Sequence, residues 1–205
     1  MALAQPTDAL LLVTADGETV SDSDALQGTW TTEQYLRLTD QSNRLIEFTS
    51  GVLEVLPMPT KRHQTISLFM LRLLLAFLEP VGGAVFYAPL RLRIGEGKFR
   101  EPDLIAAVDA NDPRLQDAYF LGADLVMEVV SPDNPERDTV IKRAEYAEAH
   151  IPEYWIVNPL DGTITVLRLQ GEEYAEHGLF RRGDVASSAL LAGFSVQVSE
   201  LFDVR

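Results

Sequence analysis

Two acidic residues stand where acids are costly. Glu128 interrupts the apolar run of Leu125, Val126, Met127, Val129 and Val130, and Asp103 opens the run "DLIAAV" directly after Pro102. Short apolar runs of this kind become buried strands. Burying an ionised carboxylate there is expensive unless a cation or hydrogen bonds compensate it. A single acid near a strand end is ordinarily solvent-facing. Two acids in adjacent apolar strands converge if the strands pair, and like charges that close need a cation between them. Carboxylates are what hard divalent metals prefer, and Mg²⁺ takes one or two while keeping several waters. The chemistry this pattern suggests is metal-dependent phosphodiester hydrolysis.

A protein cation is also needed. Side chains on a strand repeat every two residues, so position 130 shares the face of Glu128, but Val130 stands there. The nearest downstream lysine is Lys142, on a helix expected from about Pro135 to His150 with Asn134 as its cap. Along that helix Asp138, Lys142 and Tyr146 recur at i, i+4 and i+8, while Val140, Ala144 and Ala147 make an apolar stripe. Asp138 and Lys142 read either as a surface ion pair or, for Lys142, as a side chain reaching back over the sheet to Glu128.

The elements that must position these groups follow from pattern. Residues 1–29 are Asp-, Thr- and Ala-rich and lack periodicity, giving a loosely ordered lead-in with Leu10–Val13 as a candidate edge strand. Thr31, with Gln34 three residues on, signals a helix start. "IEFTSGVLEV" reads as a hairpin turning at Ser50-Gly51, with Ile46 and Phe48 on one face and Glu47 on the other; it also carries Glu54. "TKRHQTISLFMLRLLLAFLEP" is a long helix, apolar on nearly every face beyond Ile66 and so expected to be heavily buried. Two strands around "GEGK" follow, then the Glu128 strand, the Lys142 helix, strands at "PEYWIV" and "TITVLRL", and a tail of short strands ending in a helical turn. The organisation expected is one α/β (α+β) domain over residues 30–205.

Composition narrows the function classes. The absence of cysteine excludes disulfides, thiolate metal sites and cysteine nucleophiles, and fits a reducing cytoplasm. The opening lacks a basic region and carries Asp8, a poor signal peptide, and the long apolar helix is interrupted by Arg72, so a soluble, cytoplasmic protein without a membrane span is expected. The net charge of −14 opposes nonspecific nucleic-acid binding. It leaves room for a local basic groove at Arg91, Arg93, Lys98 and Arg100, a cluster whose simpler reading is a solvated hairpin edge.

"REPDLIAAV" and "LVMEVVSPDNPERDTVIKRAEYAEAHIPEYWIVNP", with "RLIEFTSGVLEVLPMPTKRHQTI" before them and "LLAGFSVQVSELF" after, strongly resemble the Uma-two family of restriction endonucleases. That family is placed in the PD-(D/E)XK nuclease superfamily. The resemblance covers about residues 30–205. It implies a restriction-endonuclease-like central mixed sheet flanked by helices, with additional strands at the N- and C-termini. By the resemblance, Pro102-Asp103 is the "PD", Glu128 the "(D/E)", and Lys142 the lysine supplied from the next helix in place of Val130. Glu47 and His63 match an acid and a histidine of the family's N-terminal half. Asn158 stands where Asp is common, and His150 where Gly is common.

The reading implied is a Mg²⁺- or Mn²⁺-dependent DNA endonuclease. Asp103, Glu128 and the Val129 carbonyl would ligate the metal, and Lys142 would assist the attacking water. Glu47 would hold a second metal or a water. His63 and Tyr146 would contact the phosphate or position Lys142, with Arg91, Arg93, Lys98 and Arg100 on backbone phosphates. A homodimer fits double-strand cleavage. The rival is a catalytically silent nuclease-fold protein serving as a structural or interaction partner.

Overall fold

The computed structural model describes residues 11–13, 19–22 and 26–204. It divides into two compact units, one running to Leu56 and including Glu96–Lys98, the other comprising Pro57–Gly95 and Phe99 onwards. Leu10 lies outside the described residues.

In the first unit β1 (Leu11–Val13) pairs antiparallel with β2 (Thr19–Asp22). Helix α1 (Thr32–Thr39) starts at the expected capping box: Gln34 N–H donates to Thr31 Oγ1 at 3.2 Å and Thr31 N–H to Gln34 Oε1 at 2.8 Å. Strands β3 (Ile46–Thr49) and β4 (Val52–Val55) form the expected hairpin. Its two-residue turn needs positive φ twice, and Ser50 and Gly51 supply it at 47° and 90°. A side chain at 51 would place its Cβ 2.6 Å from the Gly28 carbonyl oxygen. Ile46, Glu47 and Phe48 are all buried, so β3 is covered on both faces.

The second unit begins with α2 (Lys61–Leu78), capped by Thr60 and followed by a 3₁₀ turn at Glu79–Val81. Through Val81 it is 21 residues long and, by length and composition, apolar enough to cross a membrane, longer than the sequence suggested. Only one row of it is fully buried, Ile66, Met70, Leu74 and Leu78, at the four-residue spacing of a single helical face, while Leu68 is exposed. Each buried side chain in that row contributes about 1.5–3 kcal/mol.

Where two strands were expected around "GEGK" there are four: β5 (Ala84–Tyr87), β6 (Leu92–Gly95), β7 (Lys98–Arg100) and β8 (Leu104–Ala107). Pro89 and Pro102, which cannot donate to a ladder, fall in the breaks. Next come β9 (Leu125–Val129), a π-helical turn at Arg137–Ile141 running into α3 (Lys142–Glu148), β10 (Glu153–Asn158), β11 (Thr163–Gln170) and β12 (Glu173–Phe180). Strands β13 (Val185–Ser187) and β14 (Ser195–Gln197) and helix α4 (Val198–Asp203) close the chain. Asn134 does not cap with its side chain; its backbone carbonyl accepts from Arg137 N–H at 3.2 Å. His150, just past α3, has φ of 56°, the left-handed geometry that suits Gly.

The central sheet has the order β12-β11-β10-β9-β8-β5 and is mixed, with β9 and β10 parallel and the other pairs antiparallel. The two parallel strands are joined through α3, as such a crossover requires. Alternation divides their side chains between two cores. Leu104, Met127, Val129, Trp155 and Val157 pack with α2 and α4. Ile105, Val126, Val130, Tyr154 and Ile156 pack with α3. Glu128 has the parity of the second set, so strand register alone aims it at α3.

Candidate active site

Asp103 and Glu128 meet because of strand pairing. Leu104 stands opposite Met127 in the β8–β9 ladder, so one step outward sets Asp103 opposite Glu128. Val129 N–H donates to Asp103 Oδ2 at 2.7 Å, and Asp103 N–H approaches Glu128 Oε2 at 3.4 Å.

Helix α3 supplies the cation. Lys142 Nζ donates to Glu128 Oε1 at 2.8 Å, and the Tyr146 hydroxyl donates to the same oxygen at 2.7 Å. Lys142 Nζ also lies 3.4 Å from Asp138 Oδ1. All four side chains are buried, Glu128 at 3% exposure and Lys142 at 2%. The Asp138–Lys142 pair is therefore internal, which corrects the surface reading. Of the apolar stripe only Ala147 is buried: Val140 is 61% exposed and Ala144 exposed, while Asp138, Lys142 and Tyr146 face inward. The physical reason is Glu128, whose buried charge requires its cation and donors more than the sheet requires Val140. The π-helical turn that carries Asp138 is a type of irregularity frequent at functional sites. Tyr154 braces it, donating to the Asp138 carbonyl at 2.8 Å. Burial, then the charges of Glu128 and Asp138, hold the Tyr154 hydroxyl well above its ordinary pKa, so it remains a donor.

His63, in the first turn of α2, sets Nε2 3.1 Å from Asp103 Oδ2. Burial lowers its pKa and is the largest single influence. The hydrogen bond to Asp103, the charges of Asp103 and Asp138 and a hydrogen bond to the Val129 carbonyl outweigh it, and the net shift is upward from 6.5. A base whose folded pKa is raised stabilises fully below its unfolded pKa and loses that contribution as pH climbs through the folded value. In EDTA, wild type minus His63→Gln stability, measured by urea unfolding, is expected to be greatest below about pH 6.5 and to shrink on the alkaline side. A difference that grows with pH would refute the pairing.

The donor set fits a hard divalent cation. Asp103, Glu128 and Asp138 against Lys142 and protonated His63 give −3 + 2 = −1, and −2 when His63 is neutral. Asp103 uses Oδ2 for Val129 and His63, and no described residue hydrogen-bonds its Oδ1. Among the described residues no group of three or more His, Asp or Glu forms a metal cage. Two carboxylates are what Mg²⁺ with several waters takes.

The remaining expected site residues lie apart from this cluster of contacts or in the other unit. Arg100 is buried and bidentate on Glu145 of α3, at 2.8 and 2.5 Å, so it anchors the helix instead of offering itself to a phosphate. Arg91 and Arg93 are half-buried, and Arg93 Nε donates to the Gly95 carbonyl at 3.3 Å. Lys98 and Glu47 belong to the first unit, where Glu47 is buried on β3 opposite Glu54. Asp138 and Glu145 were not singled out for the site. Asp138 had a signal, its i,i+4 spacing to Lys142, which alone could not be told from a surface ion pair; Glu145 had none, because its partner Arg100 is distant in sequence.

Comparison with known proteins bears on the fold and the family. No curated protein matches the chain. The crystal structure of "a putative nuclease belonging to DUF820 from Anabaena variabilis ATCC 29413" superposes with a TM-score of 0.65 at 18% identity, covering 82% of this chain and 96% of that one. It shares the fold of mixed sheet and flanking helices. The family model described as "Uma2: Putative restriction endonuclease" matches residues 32–199, and a match of that length settles membership: the chain belongs to the Uma2 family.

Proposed function

We propose that the protein is a Mg²⁺- or Mn²⁺-dependent nuclease that hydrolyses phosphodiester bonds in DNA. The observation that carries this reading is the Lys142 ammonium, 2.8 Å from Glu128 and brought there by a helix that faces its polar row inward. Asp103 and Glu128, with the Val129 carbonyl, would hold the metal. When bound, the metal supplies Lewis-acid polarisation of the phosphate and eases deprotonation of water. Lys142 orients the attacking water and stabilises negative charge developing on the phosphate. Tyr146 fixes the Glu128 carboxylate, and His63 fixes Asp103. Arg91 and Arg93 are the backbone-phosphate candidates, and two copies would serve the two strands of a duplex.

The test is nicking of supercoiled plasmid in Mg²⁺, Mn²⁺ or EDTA. Wild type is expected to nick with either metal and not in EDTA, and Asp103→Asn to be slower by about 100-fold or more. Equal rates for the two proteins would remove Asp103 from the chemistry. The net charge of −14 favours a second reading, a nuclease fold retained as an interaction partner. Lack of cleavage on plasmid and single-stranded DNA alike would support it.

A further inference from the structure

A cavity of about 540 Å³ adjoins Asp103, walled by the first turns of α2 and the end of the β5–β8 pair. Its lining includes Lys61, Gln64, Leu68, Leu71 and Tyr87. Tyr87 stands directly opposite Leu104, the residue after Asp103, on the edge strand of the central sheet. Edge strands are usually guarded by charge, yet Tyr87 is a large aromatic left 64% exposed. Across from it Leu68 and Leu71 give an apolar wall, and Leu68 too is exposed. Lys61 is exposed at the first residue of α2, whose first turn carries no acid, so its charge adds to the positive end of the helix. Arg62 beside it is committed elsewhere, donating to the Val204 and Phe202 carbonyls at 2.8 and 2.5 Å.

We propose that this cavity receives one unpaired nucleobase of the strand being cut. The base lies next to the phosphate at Asp103, its face stacked on Tyr87 and its far side against Leu68 and Leu71, with Lys61 on the adjoining phosphate. The proposal rests on the nuclease reading and sharpens its substrate class. Ligand pockets of about 300–1,000 Å³ enclose one small group, and a base inside a duplex enters such a space only after leaving the stack. Aromatic stacking is indifferent to base identity because every base has a π-face. Strands with an unpaired nucleotide at the cut are therefore the preferred substrates, with little sequence preference at that position.

The experiment measures binding of a fluorescein-labelled single strand and of the matching duplex by anisotropy in EDTA, and separately steady-state cleavage in Mn²⁺. The single strand is expected to bind tighter than the duplex. Tyr87→Ala weakens single-strand binding about 5- to 150-fold, Tyr87→Phe keeps it, and in cleavage Tyr87→Ala raises KM with kcat unchanged. Lys61→Ala lowers the slope of log affinity against log salt by about 0.7. Single-strand affinity unchanged in Tyr87→Ala, or equal affinity for both substrates, overturns the assignment. The two readings fail separately. Cleavage that survives Tyr87→Ala at unchanged KM removes the cavity's role and keeps the nuclease. Tyr87-dependent single-strand binding without cleavage keeps the cavity and removes the nuclease.

Discussion

Lys142→Ala is expected to lose cleavage by about 10²–10⁴-fold and to lose stability as well. The two effects have one source. Lys142 is a buried ammonium held between Glu128 at 2.8 Å and Asp138 at 3.4 Å. Removing one partner of a buried ion pair costs about 3–5 kcal/mol because the other charge stays buried without compensation. Asp138 makes the loss worse, since two carboxylates would then face each other across the gap. A destabilised variant that fails to cleave proves little about catalysis, so cleavage is read on folded Lys142→Met, and the buried-charge account of stability on its combination with Glu128→Gln, which also removes a proposed metal ligand. Methionine keeps most of the volume, and glutamine removes the orphaned charge while still accepting from Tyr146. The double variant should recover much of the stability in urea unfolding and none of the cleavage. Wild-type cleavage by Lys142→Met, folded and assayed in Mn²⁺, would end the assignment of Lys142 to the chemistry.

Glu153→Ala is expected to cost the fold about 4 kcal/mol or more, seen as a fall in Tm of roughly 10 °C. Glu153 is fully buried at the start of β10. Its Oε1 accepts from Trp155 Nε1 at 2.6 Å and from the Ser188 hydroxyl at 2.6 Å, and its Oε2 from Ala189 and Leu190 N–H, each at 2.7 Å. Four neutral donors stand in for a cation, and through them one carboxylate ties the segment between β13 and β14 to the central sheet. Alanine strands the Trp155, Ser188 and Ala189 donors, leaves Leu190 N–H only its 3.1 Å bond to Ser188 Oγ, and opens a void beside Trp155. Glutamine restores one oxygen but turns an amide toward two of the donors, so Glu153→Gln should fall between alanine and wild type. Because this change acts through the C-terminal segment, the residual cleavage per folded molecule should stay near wild type. A Tm within 2 °C of wild type for Glu153→Ala would show the network to be idle.

These two carboxylates bear on how much the chain declares in advance. Glu128 interrupts an apolar run and was read from sequence as buried, hence compensated; Glu153 opens its strand and drew no such reading, and the structure buries it as well. Periodicity and punctuation were legible, so the Thr31 capping box, the Ser50-Gly51 turn, the long α2 and the strands at "LVMEV" and "EYWIVN" stand where local pattern put them. The number of strands between Val85 and Val108 was not legible, because proline breaks were read as part of longer runs. The inward face of α3 was legible only in part: spacing offered Lys142 either as a surface pair or as reaching Glu128, and the apolar pattern that included Val140 and Ala144 was overruled by a buried charge on a different strand.

What the sequence determined by itself was that Asp103 and Glu128 must be compensated, and that Val130 leaves the task to a residue outside the strand. Periodicity of two and the cost of a bare buried charge are local facts, written into any chain with these residues. What only the tertiary structure decided was whether Lys142, the partner the sequence nominated for Glu128, arrives, and which groups meet Glu153. Glu128 meets Lys142 and Tyr146 because β9 aims it toward α3, while Glu153, of opposite parity on the neighbouring strand, meets backbone N–H groups from a segment more than thirty residues away. Which distant groups arrive at a given face depends on the crossover and the register of the whole sheet. A carboxylate in a strand announces a debt of charge, and the fold names what settles it.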